Sequence, residues 1–414
     1  GGCWGSWARG VCSLRPRPAR SSSPKMLPML CGASADSCST DGSEGGKSRS
    51  SSEDWGEREP AGRRKWGAPR TRPITAEDAV RIAQSFAQGF RSKDYDNMGN
   101  DKQRVDQYTR AIARAVVGKT VLDVGTGRDA LLAQICARAG AKRVIAVEVV
   151  PSAAADARKA VADAGLDGII EVVEGHSGTA TLPRVDMIVH EIVGGLAPEE
   201  GMGAALLDLQ SRPDVVDATR PGWSLPRRVE TRAAPVAYGA PGTTGASPMA
   251  QSLPCVGESV RLDVDRLVRM PEPPTEALLG ELQVLDVLDA EAPMEPQLIQ
   301  DRTLSWRFTS TSVLAGFACA PWLDLDGQDA VDAWLGGTSW QHKLVGLATP
   351  VTVRPGDEVT LRVQNNLTVF PTQYAFQVEL RRGRVRPQVA VTVAATAAPG
   401  LQAAFGRVPI ARCA

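Results

Sequence analysis

Two glutamates nine positions apart, Glu191 and Glu200, bracket a glycine-containing loop that follows an apolar segment. Two carboxylates on one loop can hold a planar cation through paired hydrogen bonds. A guanidinium group presents five donors in a fixed fork, so it suits such a clamp better than an ammonium group does. The pair therefore predicts a site for an arginine side chain. Glu199 is adjacent to Glu200, and by charge alone it is an equal candidate for the second acid.

A nucleotide-type loop upstream supports a functional interpretation of the acidic loop. Without it, an acidic loop is ordinarily part of the solvated surface. Asp123 precedes Gly125 and Gly127, between a predicted strand and a predicted helix, where backbone N–H groups can approach a ligand. Glu148 ends the next predicted strand, and a carboxylate there can accept hydrogen bonds from both hydroxyls of a ribose. The same spacing fits a dinucleotide, but the loop is not GxGxxG and Asp123 would repel a pyrophosphate. An acid there favours a ligand with cationic character, such as S-adenosylmethionine.

The elements that must position these residues follow from an alternation of apolar and helical patterns. A helix is predicted over 101–117, ahead of the alternation. Further helices are predicted over 129–139 and 152–164, with strands over 119–124, 143–149, 169–174 and 185–190. Alternating strands and helices indicate a doubly wound parallel sheet, which is a Rossmann-like α/β fold. Asp129 is a candidate N-cap or first-turn acid for the helix after the glycine loop.

The character of the chain changes after residue 222 and predicts a second, β-rich domain. Strand-like stretches cover 303–309, 313–319, 343–347, 358–363 and 374–380. A Pro-Gly-Asp turn signal at 355–357 separates two of them. This half is interpreted as a β-sandwich or barrel. The predicted boundaries are 1–73 for a Ser/Gly/Arg-rich disordered segment, 74–222 for the α/β domain, 223–383 for the β domain and 384–414 for a tail.

The bulk composition of the 414 residues is that of a globular protein, with 43% hydrophobic and 23% charged residues. Its 47 basic and 47 acidic residues balance, so nothing global argues for nucleic acid or a membrane as partner. Eight cysteines without a CxxC pair and three scattered histidines predict neither a metal site nor a disulfide framework. We expect a reducing compartment, cytoplasmic or nuclear. The basic, Ser-rich composition of 1–73 also suits an organelle transit peptide, although acids such as Glu53 and Asp54 weigh against it.

Taken together, the motifs resemble the protein arginine methyltransferases, most closely their monomethylating (type III) branch. The likeness extends over about 95–380 and rests on joint spacing, not on any single motif. The matching segments are the cofactor-lid helix (95–112), the first motif (121–127), the ribose acid Glu148, the adenine edge (174–177), the double-E loop with Glu191 and Glu200, the start of the barrel (223–226) and a Thr-His-Trp-like loop (338–340).

The resemblance implies a class I methyltransferase domain followed by a β-barrel, with S-adenosylmethionine as cofactor. It implies a role for each matching residue of the cofactor pocket. These are Arg104 on the cofactor carboxylate, Asp123, Gly125 and Gly127 around the methionine end, Glu148 on the ribose, and His176 and Ser177 beside the adenine.

The substrate side follows from the same resemblance. Glu191 and Glu200 would grip the substrate guanidinium, and the family spacing selects Glu200 over Glu199 as the second acid. Tyr95 would pack over the site and limit the room for a second methyl group, while Trp340 lies in the loop that shapes the substrate site. The implied partners are proteins or peptides with arginine, Arg/Gly-rich or histone, which makes histone modification one expected role. The family usually pairs head to tail, so a homodimer is expected.

Two departures from the family pattern keep other functions open. Arg128 and Asp129 stand where the family usually has a small residue and a third glycine, and Ser339 replaces the histidine of the Thr-His-Trp loop. One alternative is a methyltransferase that acts on another protein site or on a small cation. A second alternative, motivated by the altered glycine loop, is a scaffold that keeps the fold and has lost turnover.

Overall fold

The structure is a computed structural model that describes residues 80, 84, 99–237, 257–368 and 372–383. The predictions made for 1–73, for Tyr95 and for the 384–414 tail lie outside the described residues. Within the described residues, no helix combines the length and the apolar composition that crossing a membrane requires.

The first part of the described chain alternates helices and strands. The helices are α1 (Lys102–Ala115), α2 (Leu131–Arg138), α3 (Pro151–Asp163) and α4 (Met202–Gln210). The strands are β1 (Thr120–Val124), β2 (Arg143–Glu148), β3 (Ile170–Glu174), β4 (Met187–His190) and β5 (Ser224–Leu225). Each predicted helix and strand of this part is confirmed to within two residues at either end.

These five strands form one parallel sheet in the order β3-β2-β1-β4-β5. Residues 121–124 of β1 and all of β4 are buried, as expected for central strands covered on both faces. The chain crosses from β3 to β4 on the other side of β1, which reverses the strand order. In Rossmann-like sheets, ligands bind in the crevice that such a reversal opens beyond the carboxyl ends of the strands. The predicted Rossmann-like fold class is confirmed.

Helix α1 lies at this carboxyl edge and buries one stripe of its surface. Its buried residues recur at helical spacing, as expected for an amphipathic helix: Arg104, Tyr108, Ala111 and Ile112. Asp101 caps the helix, because its Oδ1 accepts a hydrogen bond from the backbone N–H of Arg104 at 3.0 Å. The other carboxylate oxygen, Oδ2, accepts from the backbone N–H of Ser339 at 2.6 Å. One buried carboxylate thus starts the helix and holds a loop of the second domain against it.

Two antiparallel sheets make up the second domain. Their strands are β6 (Arg228–Val236), β7 (Ser259–Leu262), β8 (Val264–Met270), β9 (Gln283–Asp289), β10 (Ile299–Arg307), β11 (Ser312–Asp324), β12 (Ala330–Asp332), β13 (His342–Val353), β14 (Glu358–Asn366) and β15 (Gln373–Arg381). One sheet has the order β10-β14-β15-β7, and the other β8-β13-β11-β6-β9 with β12 on β11. Strand β9 also contacts β10, and β8 contacts β15, so the two sheets meet along both edges as a β-barrel.

A shared apolar core joins the barrel to the α/β domain. Leu288 of β9 and Leu323 of β11 belong to the same buried cluster as the side chains of the parallel sheet. On the surface, Arg110 of α1 donates to Asp329 at 3.0 Å in the turn between β11 and β12. Exposed ion pairs of this kind stabilise a protein by at most about 1 kcal/mol. The buried cluster and the Asp101 carboxylate therefore set how α1 lies on the barrel.

Asp101 supplies a first prediction. Asp101→Ala removes the cap of α1 and leaves the part-buried N–H of Ser339 without its acceptor, which should lower the free energy of unfolding by about 2 kcal/mol. Urea denaturation followed by tryptophan fluorescence measures the change. Asp106→Ala, at an exposed position of the same helix, is the matched control and should leave the transition unchanged. Equal transitions for the two variants would contradict the assigned contact.

Candidate active site

The predicted site residues lie at the carboxyl edge of the parallel sheet because each follows or ends one of its strands. The glycine loop follows β1, Glu148 ends β2, His176 follows β3 and Glu191 follows β4. Parallel strands place these four ends side by side. Trp340 comes from the barrel, in the loop before β13.

The glycine loop is held in a conformation that requires its glycines. Gly125 and Gly127 have φ values of +74° and +67°, in the left-handed region that side chains with a Cβ rarely adopt. The backbone N–H groups of Gly125 and Thr126 both donate to the carbonyl of Val147, each at 3.0 Å. The loop is therefore tied to the end of β2 and to the residue next to Glu148.

Asp123 shapes this loop from within. Its Oδ2 accepts from the Thr126 hydroxyl at 2.6 Å and from the backbone N–H of Ala133 at 3.0 Å. Ala133 lies in the first turn of α2, so a carboxylate on the strand does the work of an N-cap. Burial is the main cause that raises the pKa of Asp123 to about 7. Its role beside the methionine end of a cofactor stays a prediction.

The altered segment after the glycine loop behaves differently from expectation. Asp129 was a candidate cap of α2, but this was wrong: Ala130 occupies the cap position, and no side chain caps the helix there. The Asp129 carboxylate is exposed and instead lies 3.3 Å from Nε of Arg128. Ala130 is the only non-glycine among the described residues with a left-handed φ, +46°. Such a conformation costs about 1–2 kcal/mol, and strained residues of this kind cluster at ligand sites. No local sequence pattern predicted this strain at Ala130.

Glu148 closes the pocket on the β2 side. Its Oε2 accepts from the backbone N–H of Gly127 and its Oε1 from that of Val150, each at 2.9 Å. Burial raises the pKa of this carboxyl group above its usual value. Each carboxylate oxygen has a second lone pair, so the group can accept further hydrogen bonds from a ligand.

His176 and Ser177 sit in the turn after β3. His176 Nδ1 accepts from the backbone N–H of Gly178 at 3.1 Å, and burial lowers the pKa of the ring. The carbonyl of Ser177 accepts from Arg212 Nη1 at 2.7 Å. Both residues thus stabilise their own turn, and their predicted contact with an adenine stays a prediction.

Glu191 pairs with Arg104, which the resemblance assigned to the cofactor carboxylate. Arg104 Nη1 lies 2.8 Å from Glu191 Oε1, so the residue predicted for the cofactor carboxylate holds one acid of the clamp in this structure. The guanidinium carbon of Arg104 also lies 5.3 Å from the ring centroid of Trp340, a cation–π distance. Trp340 Nε1 donates to the carbonyl of Val193 at 2.8 Å. The Trp340 side chain therefore joins the barrel to the acidic loop.

The contacts of Glu199 and Glu200 distinguish the two candidates for the second acid, which have the same charge. Glu199 Oε1 accepts from the backbone N–H of Gly195 at 2.7 Å, and its Oε2 lies 3.2 Å from Lys343 Nζ. Glu200 is half-buried, and no described residue donates a hydrogen bond to its carboxylate or forms an ion pair with it. Burial, followed by the negative charge of Glu191, raises the pKa of Glu200 to about 8. Glu199 is engaged within its own loop, and Glu200 remains available to a cation.

Several residues that support this loop were missed in the sequence. Lys343, on β13, pairs with Glu199 as described above. The backbone N–H of Ala197 donates to Thr231 Oγ1 at 2.8 Å, and the backbone N–H of Thr231 donates to Asp286 at 3.2 Å. Tyr374 completes the chain by donating its hydroxyl to the same carboxylate at 2.8 Å. These residues lie on four different strands, so no local pattern could have identified them.

Comparison with known proteins identifies relatives of this chain. No family model matches it. It is 39% identical over 120 residues to protein arginine N-methyltransferase PRMT10 of Arabidopsis thaliana, covering 28% of this chain and 31% of that protein. It is 40% identical over 103 residues to an arginine N(omega)-methyltransferase of Streptomyces achromogenes subsp. streptozoticus, covering 23% of this chain and 28% of that protein. The chain thus matches less than a third of the length of either relative.

A solved structure has the same fold over a longer range. The Trypanosoma brucei PRMT1 enzyme-prozyme heterotetrameric complex with AdoHcy superposes with a TM-score of 0.53 at 19% identity, covering 70% of this chain and 98% of that chain. The chain is therefore similar in sequence to these methyltransferases over 23–28% of its length, and its fold is a Rossmann-like domain followed by a β-barrel. None of these names assigns it to the monomethylating branch, which stays a prediction.

Gly195 supplies a second prediction, because it lets the acidic loop approach the barrel. A Cβ at this position would lie 2.9 Å from the carbonyl oxygen of Gln341 and 2.9 Å from Cε of Lys343. Gly195→Ala should therefore push the loop off β13 and lower the free energy of unfolding by about 1–3 kcal/mol. Chemical denaturation measures this, with Gly168→Ala as control because a Cβ there meets nothing within 4 Å. The close approach would be refuted by a Gly195 variant as stable as the control.

Proposed function

We propose that this relative of the protein arginine N-methyltransferases transfers a methyl group from S-adenosylmethionine to a guanidinium nitrogen of arginine in proteins. The observation that carries the proposal is the pair of acids at the carboxyl edge of the sheet. Glu191 is anchored by Arg104. The negative charge of Glu191 helps to raise the pKa of Glu200, and no described residue donates a hydrogen bond to the Glu200 carboxylate. A guanidinium group can satisfy both carboxylates at once.

The donor set of the neighbouring pocket fits the proposed cofactor. Glu148 would hold the ribose hydroxyls, since each of its oxygens has a lone pair beyond the one that accepts a backbone N–H. Gly125 and Gly127 let the backbone approach the ligand, and Arg104 would bind its carboxylate. When bound, the cofactor supplies a methyl group on a sulfonium, which is an electrophile that needs no further activation.

The residues of the chain then have two tasks, alignment and charge stabilisation. Methyl transfer is an in-line displacement, so holding the attacking nitrogen in place supplies much of the rate. Glu191 and Glu200 fix the guanidinium plane and stabilise the positive charge that moves onto the substrate. The methylated nitrogen must lose one proton. Glu200 in its carboxylate form can accept it, and the raised pKa of about 8 in the free site makes this group a stronger base than an ordinary carboxylate.

A second candidate is methyl transfer to arginine as a small molecule. The observation that favours it is the match to the Streptomyces protein, whose name refers to arginine and not to protein arginine. The same clamp and the same cofactor pocket would serve both substrates, because the reacting group is a guanidinium in each. Substrates tested side by side distinguish the two.

The partners and location of the protein are part of this proposal. We propose protein or peptide substrates with arginine, Arg/Gly-rich or histone, monomethylation as the product, and a homodimer as the assembly. The solved heterotetrameric relative supports assembly in general. We propose a cytoplasmic or nuclear location, supported by Cys136 and Cys319, both buried as free thiols among the described residues.

The clamp gives a third prediction. Above about pH 8, where the free site holds Glu200 as a carboxylate, Glu191→Gln and Glu200→Gln each remove a negative charge from the guanidinium site and should lower methyl transfer at least about 100-fold. The measurement is incorporation of label from S-adenosylmethionine into Arg/Gly-rich peptides. Glu276→Gln, at an exposed position of the barrel domain, is the control and should keep full activity. If labelling persists in both variants, the assignment of arginine methyl transfer to this site is refuted. Absence of cofactor binding by calorimetry would favour an inactive scaffold.

The pKa of Glu200 gives a fourth prediction. Below about pH 8 the free site holds this group protonated, and a neutral carboxyl group cannot pair with a guanidinium cation. We therefore expect kcat/KM to rise about tenfold per pH unit between pH 6 and 8 and to level off above it. The kcat profile should lie at lower pH, because the bound cation favours the carboxylate form. A flat kcat/KM profile from pH 6 to 9 would contradict this assignment.

A further inference from the structure

A pair of cations lies across two barrel strands beside the acidic loop. In the antiparallel pairing of β8 with β13, Arg269 is directly opposite Lys343. Opposite residues of an antiparallel pair project from the same face with their Cβ atoms about 5 Å apart. Lys343 reaches Glu199 at 3.2 Å, so this face of β13 looks towards the acidic loop and Arg269 stands next to it.

The charges of the acidic loop pair off and leave one group of each sign. Arg104 pairs with Glu191, and Lys343 pairs with Glu199. Arg269 is exposed and forms no hydrogen bond or ion pair with the described residues, and the same is true of Glu200. Arg269 lies near enough to Glu200 for its positive charge to favour the carboxylate form of that acid. Among the described residues, an acid of the clamp without a partner therefore lies near a barrel cation without a partner.

Two cations directly opposite on a strand pair repel each other and weaken the pairing. A bound anion next to Arg269 would relieve that repulsion.

We propose that Arg269 is a specificity-determining residue that recognises a carboxylate carried by the substrate close to the guanidinium held by Glu191 and Glu200. The inference rests on the proposed function and names the chemistry of the substrate more closely. A substrate with both groups places its cation on Glu200 and its anion on Arg269, so the two unpartnered charges are satisfied together. The carboxylate has two possible sources: the α-carboxylate of free arginine, or an aspartate or glutamate beside arginine in a peptide.

The experiment compares substrates that differ only in the carboxylate. Kinetic assays of the full chain with labelled S-adenosylmethionine use free arginine against agmatine, which has the same guanidinium and no carboxylate. They also use Asp-Arg-Asp against Gly-Arg-Gly peptides with blocked ends. We expect kcat/KM to favour the carboxylate-bearing member of one pair by about tenfold or more, as for a hydrogen bond between charged groups. The pair that shows the preference identifies the source.

Two variants at one position assign the preference to Arg269. Arg269→Gln should reduce the preference to within about twofold, and Arg269→Glu should invert it in favour of the substrate without the carboxylate. Arg307→Gln, at an exposed position of β10, is the control and should keep the wild-type preference.

Failure of the inference and failure of the proposed function give different results. Turnover of all four substrates without discrimination, or discrimination that survives Arg269→Gln, overturns the role of Arg269 and leaves arginine methylation standing. An equal rise in kcat/KM for every substrate in Arg269→Gln also overturns it, because Arg269 would then only balance the charge of Glu200. No transfer to any of the four guanidines overturns the proposed function and this inference with it.

Discussion

The acidic loop brings negative charges together at partly buried positions, and the surrounding structure offsets their repulsion. Burial and the charge of Glu191 together raise the pKa of Glu200 to about 8. Removing charges from water costs several kcal/mol per ion unless partners are provided. Arg104 is the cationic partner of Glu191, and Lys343 is the cationic partner of Glu199. Among the described residues, Glu200 is the acid of this loop that has no such partner. A cation bound at this position would favour the carboxylate form of Glu200.

The barrel is therefore part of the site and not only a neighbour of it. Lys343 reaches the loop from β13, and Trp340 donates to the Val193 carbonyl while lying beside the Arg104 guanidinium. The Thr231 hydroxyl accepts from the backbone N–H of Ala197 in the loop, and Asp286 in turn accepts from the backbone N–H of Thr231. Because these contacts come from several strands, a change in the packing of the barrel core would shift the positions of the acids.

The local patterns predicted much of this arrangement. The alternation of strands and helices predicted the parallel sheet, and the position of Glu148 at a strand end predicted its place beside the glycine loop, because both depend on residues close in sequence. The capping of α2 was predicted wrongly. Asp129 had the right residue type and the right place, but the helix takes its acceptor from Asp123 on β1, ten residues before the N–H it binds. A tertiary contact overrode a local propensity.

The sequence by itself determined the Rossmann-like α/β fold, the β-rich second half, and which residues could form a cofactor pocket and a guanidinium clamp. The fold and the acids at the strand ends follow from periodicity and spacing along the chain. The resemblance to the methyltransferase family added Arg104, His176 and Ser177 and selected Glu200 over Glu199. Only the tertiary structure decided that Arg104 pairs with Glu191, that Lys343 pairs with Glu199, and that Arg269 lies near Glu200. Pairing of charges depends on distance in space and on burial. Neither is encoded in the spacing of residues that lie more than sixty positions apart and meet only when the barrel packs against the sheet.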